Sequence, residues 1–327
     1  MALSEEDLIA RYFAPLAGEG AFGLRDDAAS ISPPSGYDFV ITKDMLVSGV
    51  HFFPDDPPFE IARKLMRVNL SDLAAKGAVP FGFFLGLALP QNISENWLLD
   101  FAAGLAQDVR DFHFQLLGGD TVKGPLTLSL TALGLVPKGK MVKRFAAQAG
   151  DRLYVTGTIG DAALGLKIRM NAPEDRGWIA ALPSQAREFL VQRYLLPQPR
   201  NQLAQAMQAY AHAGMDISDG FVGDLRKMMR VSQTRAHVVL SDVPLSEAAR
   251  AAIAHAPHVL DDALTGGDDY ELLAAVAPHH CVAFEAASRE AGLALACVGE
   301  VFSAGETVFL GADSKPQHFD KASFSHF

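Results

Sequence analysis

Val68-Asn69-Leu70-Ser71-Asp72-Leu73-Ala74-Ala75-Lys76-Gly77 is the stretch whose reading decides the rest of the chain. Leu65, Val68, Leu73 and Ala75 recur at near-helical spacing and Gly77 is a stop signal, so a helix is expected over 59–76. Asn69, Ser71 and Asp72 interrupt its apolar face with small polar groups. A carboxylate there must be hydrogen-bonded, paired or metal-bound, because a bare buried charge is costly. One such Asp is an ordinary helix-edge residue. A series of them at the ends of elements is not.

Toward the N-terminus, Asp38-Phe39-Val40-Ile41-Thr42-Lys43-Asp44 reads as a strand. Period-two alternation puts Thr42 and Asp44 on one face and Lys43 on the other. Arg25-Asp26-Asp27-Ala28-Ala29 lies before it, and Val50-His51-Phe52 after it. Toward the C-terminus a strand is expected over 81–89 and a helix over 94–111, opened by Ser94-Glu95. A short apolar strand, 114–121, then ends in Gly118-Gly119-Asp120, where missing side chains allow close backbone approach. A further strand is expected over 126–136.

Charged, Gly-containing sequence between Pro137 and Gly150 interrupts the apolar pattern and suits a domain boundary. The division is drawn at 1–147 and 148–327. The second part begins with a strand over 152–156 and a helix over 162–170. Helices follow over 184–196 and 200–213. Gly214-Met215-Asp216-Ile217-Ser218-Asp219-Gly220 leads into a helix with Leu225, Met228 and Met229, methionines best read as core filler. Gly266-Gly267-Asp268-Asp269-Tyr270-Glu271 enters another strand. Ser-Asp followed by Gly-Gly-Asp thus occurs in each half at nearly the same spacing, a pattern expected of related halves.

Composition narrows the function. The chain has 327 residues, 49% hydrophobic and 20% charged, more than one core usually serves, so two domains are the default. Its net charge of −10, with 38 acidic against 28 basic residues, argues against a nucleic-acid surface. No apolar run is long enough for a membrane helix. The acidic start, Met1-Ala2-Leu3-Ser4-Glu5-Glu6-Asp7, makes a poor signal peptide. Two cysteines, Cys281 and Cys297, form no disulfide framework and favour a reducing cytoplasm. An acidic site can hold phosphates only with cations in between, and Mg²⁺ does this with one or two carboxylates per ion.

Three motif matches carry no weight. Gly18-Glu19-Gly20-Ala21-Phe22-Gly23 fits G-x-G-x-x-G but follows a helix where the dinucleotide fingerprint follows a strand. Gly134 to Met141 falls one hydroxyl short of a P-loop, although its Lys138, Lys140, Lys143 and Arg144 remain the most basic stretch. His279-His280-Cys281 lacks zinc spacing. The oxygen ligands left are Asp26, Asp27, Thr42, Asp44, Asp72, Asp120, Asp216 and Asp219, a hard set that points to Mg²⁺.

Arg25-Asp26-Asp27-Ala28-Ala29, Thr42-Lys43-Asp44-Met45-Leu46-Val47-Ser48-Gly49-Val50-His51-Phe52, Asn69-Leu70-Ser71-Asp72, Gly118-Gly119-Asp120-Thr121, Asp216-Ile217-Ser218-Asp219-Gly220 and Gly266-Gly267-Asp268-Asp269-Tyr270-Glu271-Leu272 together resemble the thiamine-monophosphate kinase family. That family belongs to the aminoimidazole ribonucleotide synthetase-like superfamily. The resemblance implies an α/β (α+β) protein of two domains. The N-terminal one would bind ATP and metal and dimerise through its sheet, and the active site would lie between the domains. It implies Mg²⁺-dependent transfer of the ATP γ-phosphoryl group to thiamine phosphate by direct in-line attack. By position, several Mg²⁺ ions would be held by Asp27, Thr42, Asp44, Asp72, Asp120, Asp216 and Asp219. ATP would meet Gly119, Asp120, Arg144 and Ser218, and thiamine phosphate His51, Asp268 and Phe324. Lys43 stands where the family commonly has Thr, Asp268 where Glu is usual, and Arg25 where Gly is usual. Another ATP-dependent enzyme of the superfamily, or a Mg²⁺-dependent phosphohydrolase, would fit the same acids.

Overall fold

The computed structural model describes residues 5–303, 305–311, 313–319 and 323; Phe324 lies outside the described residues. The chain divides into two compact units. One comprises Met1–Leu73 and Ala78–Met141, the other Ala74–Gly77 and Val142–Phe327.

The first unit opens with α1 (Glu5–Leu8), which continues as a π turn over Ile9–Phe13. There follow β1 (Tyr37–Val47), α2 (Pro58–Ala75), β2 (Val79–Leu89), α3 (Glu95–Phe112), β3 (Gln115–Lys123) and β4 (Thr127–Pro137). The sheet order is β1-β4-β2-β3. β4 runs antiparallel to both β1 and β2, and β2 runs parallel to β3. A parallel pair needs a crossover, and α3 supplies it. Ser94 starts that helix by accepting a hydrogen bond from the Trp97 N–H at 3.1 Å. Alternation along the strands decides which face is dry. Val40 and Leu46 of β1, Leu85 and Leu87 of β2, and Leu128 and Leu130 of β4 join Leu65, Leu70 and Leu73 of α2 and Phe101 and Leu105 of α3 in one core.

The second unit carries a seven-stranded sheet in the order β11-β10-β7-β9-β5-β8-β6. Its strands are β5 (Arg152–Thr156), β6 (Ala211–Ile217), β7 (Arg235–Val239), β8 (Glu271–Val276), β9 (Leu295–Phe302), β10 (Val308–Leu310) and β11 (Pro316–Gln317). Its helices are α4 (Asp161–Met170), α5 (Arg176–Ala181), α6 (Ser184–Leu195), α7 (Ala204–Tyr210), α8 (Phe221–Ser232), α9 (Glu247–His255), α10 (Val259–Thr265) and α11 (Cys281–Glu290). β8 is buried along its whole length. Leu273 and Ala275 join the cluster with α8, whereas Leu272, Ala274 and Val276 join the cluster with α7 and α11. Helices therefore cover both faces of this strand, which is why its residues after Glu271, Leu272 to Val276, read as an apolar run.

Three sequence expectations change. The helix expected over 200–213 stops at Tyr210, and Ala211–Ile217 is an edge strand paired to β8. β3 does not end at Gly-Gly-Asp but pairs with β2 as far as Lys123. The two Ser-Asp pairs stand in unlike settings: Ser71 and Asp72 are inside α2, while Ser218 and Asp219 form the turn between β6 and α8. The echo is one of sequence, not of repeated local structure.

α2 and α3 are joined by a buried ion cluster. Asp108 of α3 is fully buried and accepts from Arg67 Nε at 2.8 Å, Arg67 Nη2 at 3.1 Å and Arg63 Nε at 2.9 Å. Removing the acid takes a shared buried carboxylate away from two guanidiniums. Asp108→Ala is therefore expected to lower unfolding free energy by about 3 kcal/mol in denaturant titrations; a loss below about 1 kcal/mol would contradict this account.

Candidate functional sites in the two units

In the first unit the sheet separates the predicted ligands by face. Thr42 of β1 hydrogen-bonds the Asp72 carboxylate on α2. Asp72 is thus partnered inside the helix face, as a half-buried carboxylate must be. Asp44, two residues on from Thr42, shares that face. Lys43 points the other way and donates to Ser129 Oγ of β4 at 2.6 Å.

A cavity of about 790 Å³ lies on the Lys43 side. Asp26, Asp27, Lys43, Gly119, Asp120 and Ser129 contribute polar groups to its wall, and Phe13, Leu24, Phe84 and Leu116 contribute apolar ones. Asp27, Gly119 and Asp120, far apart in sequence, therefore share one space. Thr42, Asp44 and Asp72 are not among its lining residues. The Gly-Gly-Asp segment reaches the wall because β3 can approach β2 closely. A Cβ on Gly119 would stand 2.0 Å from the Leu85 carbonyl oxygen, which no side chain allows. His51 sits in the turn after β1, where its Nδ1 accepts the Val47 N–H at 3.0 Å. That bond puts the ring proton on Nε2.

In the second unit the two motifs meet backbone to backbone. The Asp268 N–H donates to Ser218 O at 2.9 Å and the Tyr270 N–H to Ile217 O at 2.8 Å. A Cβ on Gly267 would stand 2.3 Å from Ser218 O, so this contact too requires glycine. Asp268 adopts φ +74°, a conformation Asp tolerates better than most residues. The Ser218-Asp219 turn is held from below by a residue that sequence reading missed. Asp224 is 1% exposed, and its Oδ2 accepts the Ser218 and Asp219 N–H groups at 3.0 and 2.9 Å. Lys227 donates to Asp224 Oδ1 at 3.0 Å and also binds Asp219. Burial pushes the Asp224 carboxyl above its ordinary pKa, and the Asp219 N–H and Lys227 oppose that rise. The helical i, i+3 spacing of Asp224 and Lys227 was the available signal. Asp216, on β6, is 7% exposed. Arg144 is exposed, and its carbonyl accepts from Ser232 Oγ at 3.3 Å.

Among the described residues no three His, Cys, Asp or Glu side chains gather closely enough to hold a metal ion by themselves. The donor set nonetheless fits Mg²⁺. The cavity acids Asp26, Asp27 and Asp120 are hard oxygen donors without a soft one among them. Mg²⁺ takes only one or two carboxylates and completes its shell with waters and substrate phosphates.

Family models match both units in chain order: AIR synthase related protein, N-terminal domain, over residues 25–136, and the C-terminal domain over residues 148–311. The thiamine-monophosphate kinase of Caulobacter vibrioides is 42% identical over 323 residues, covering 96% of this chain and 89% of the relative. The crystal structure of thiamine-monophosphate kinase from Stenotrophomonas maltophilia K279a superposes with a TM-score of 0.80 at 37% identity, covering 90% of this chain and 91% of that one. A structure of AaThiL complexed with AMPPCP and TMP gives a TM-score of 0.78 at 26% identity, covering 94% and 97%.

The Asp224 anchor can be checked without a ligand. Asp224→Ala leaves the Ser218 and Asp219 N–H groups without their acceptor and should cost about 2 kcal/mol of stability. Amide exchange at both positions should speed up together. Unchanged protection at Ser218 and Asp219 would show that the carboxylate does not hold the turn.

Proposed function

The chain belongs to the AIR synthase related family and, within it, to the thiamine-monophosphate kinases, and from that premise we propose that it transfers the γ-phosphoryl group of ATP to thiamine phosphate, giving thiamine diphosphate and ADP. The observation that carries this reading is the cavity of the first unit. It combines carboxylates from two distant segments, the glycine backbone of β3 and apolar side chains, a lining suited to a nucleotide that arrives with its cations.

Phosphoryl transfer asks little covalent chemistry of a protein; positioning and charge neutralisation do most of the work. The acceptor is itself a phosphate, already ionised near neutral pH, so no protein nucleophile and no strong base are required. Direct in-line attack follows from that. Asp27, Thr42, Asp44, Asp72, Asp120, Asp216 and Asp219 are the residues we assign to holding Mg²⁺. When bound, Mg²⁺ supplies Lewis-acid polarisation and a template that lets two anions approach. Gly119, Asp120, Arg144 and Ser218 are assigned to ATP, and His51 and Asp268 to thiamine phosphate. The hydrogen bond from Thr42 keeps the Asp72 carboxylate oriented, and the Val47 N–H does the same for the His51 ring. Asp224 fixes the Ser218-Asp219 turn from beneath.

A homodimer through the first unit's sheet and a reducing, cytoplasmic setting belong to the same proposal. The face that carries Lys43 leaves Ile41 64%, Met45 50% and Val122 51% exposed, an apolar patch of the kind a second copy covers. Cys281 and Cys297 are free thiols, and no helix among the described residues is long and apolar enough to cross a membrane.

A coupled assay should show ADP formation that depends on thiamine phosphate; ADP released equally without it would indicate hydrolysis instead. Asp72→Asn should reduce turnover at saturating ATP by about a hundredfold or more while circular dichroism stays unchanged. Near-normal turnover would remove Asp72 from the metal set. Ile41→Asp should shift the protein from dimer to monomer in sedimentation velocity, and an unchanged sedimentation coefficient would place any interface elsewhere.

A further inference from the structure

We propose that Lys43 anchors the polyphosphate of the nucleotide in the first unit's cavity and supplies there a positive charge that would otherwise come from a divalent cation. The inference rests on the kinase reading and adds to it a residue to which that reading gives no role.

The placement follows from the sheet. Directly paired residues on neighbouring strands present their side chains to the same face. Lys43 pairs with Thr131, and Thr131 with Phe84. In the next row of that face Met45 pairs with Ser129, Ser129 with Gly86, and Gly86 with Asp120. Position 86 has no side chain, so between Ser129, to which Lys43 is bonded, and Asp120 the row has a gap. All of Lys43, Ser129, Thr131, Gly86 and Asp120 line the cavity. The gap is its floor, with an ammonium group to one side and a carboxylate to the other.

The charge of Lys43 is available to a ligand. A lysine ammonium has three donors, and Ser129 Oγ takes one at 2.6 Å. Among the described residues Lys43 makes no ion pair, although Asp26, Asp27 and Asp120 share its cavity. The serine bond fixes the direction of the side chain without neutralising it. A triphosphate entering the cavity meets the carboxylates of Glu6, Asp26, Asp27 and Asp120, which repel it, and two cations, Arg25 and Lys43, of which Lys43 is the one held on the sheet beside the gap. Hydrogen bonds to charged groups are the strong ones, and the anchor works without Mg²⁺. Thr42 and Asp44, whose side chains leave the opposite face, are not among the residues that line this space.

Titration calorimetry with a methylene-bridged ATP analogue, in EDTA and in Mg²⁺, tests the assignment on wild type, Lys43→Thr and Lys43→Arg. Thr suits a strand, so Lys43→Thr should keep the wild-type melting profile. In EDTA it should bind about tenfold or more weakly than wild type, with Lys43→Arg close to wild type. In Mg²⁺ the gap should narrow to about threefold, because the ion then carries the charge. Wild type that binds the analogue in Mg²⁺ but not in EDTA, equal affinities of wild type and Lys43→Thr in EDTA, or a gap that Mg²⁺ leaves unchanged, would each overturn the role of Lys43. A wild-type protein that binds no analogue even with Mg²⁺ would instead overturn the kinase reading on which it rests.

Discussion

Close approach of one stretch of main chain to another is the constraint on which both candidate sites depend. At Gly119 the β3 backbone passes so near Leu85 that a Cβ would stand 2.0 Å from its carbonyl oxygen, and at Gly267 a Cβ would stand 2.3 Å from Ser218 O. In each case the residue that follows is an aspartate. The glycine lets the chain come close, and the neighbour turns that closeness into a placed carboxylate. This explains why the same three-residue word serves inside a strand in one unit and in a loop ahead of a strand in the other.

Charge is the second organising problem. A chain with net charge −10 has collected several acids around one cavity and one turn. Each acid that the structure describes in detail is managed by a nearby donor. Asp72 is bound by Thr42, Asp224 by two backbone N–H groups and Lys227, and Asp219 by Lys227. Asp26, Asp27 and Asp120 face a cavity instead, where water or an arriving cation can solvate them. Burial sets the need: Asp224, removed from water, requires fixed partners, whereas carboxylates on the wall of an open cavity can be solvated.

Much of this was legible in the residues. α2 and α3 carry apolar stripes and a stop or start signal, and both fall within one or two residues of their expected limits. The alternation of β1 correctly separated Lys43 from Thr42 and Asp44. β6 escaped because Ala211–Ile217 follows α7 directly, without a Gly or Pro between the two elements to punctuate the change; the alternation of His212, Gly214 and Asp216 with Ala211, Ala213, Met215 and Ile217 was the available signal. The end of β3 was set too early because glycine usually weakens a strand, whereas here its parallel pairing with β2 carries on regardless. Contacts such as Thr42 with Asp72 depend on how sheet and helix pack, which no local pattern encodes. The support of the Ser218-Asp219 turn by Asp224 was closer to hand, within one helical turn and a half.

Gly86 differs from Gly119 in a way that matters for how such a cavity can change over generations. A methyl group at position 86 would touch Ser129 at 3.4 Å, an ordinary contact, so the sheet itself makes no demand for glycine there. The vacancy opens onto the pocket and is not a requirement of the sheet. Variation at this one codon can therefore resize the binding space in single steps, each passing through a folded protein, while the neighbouring strand position remains closed to experiment.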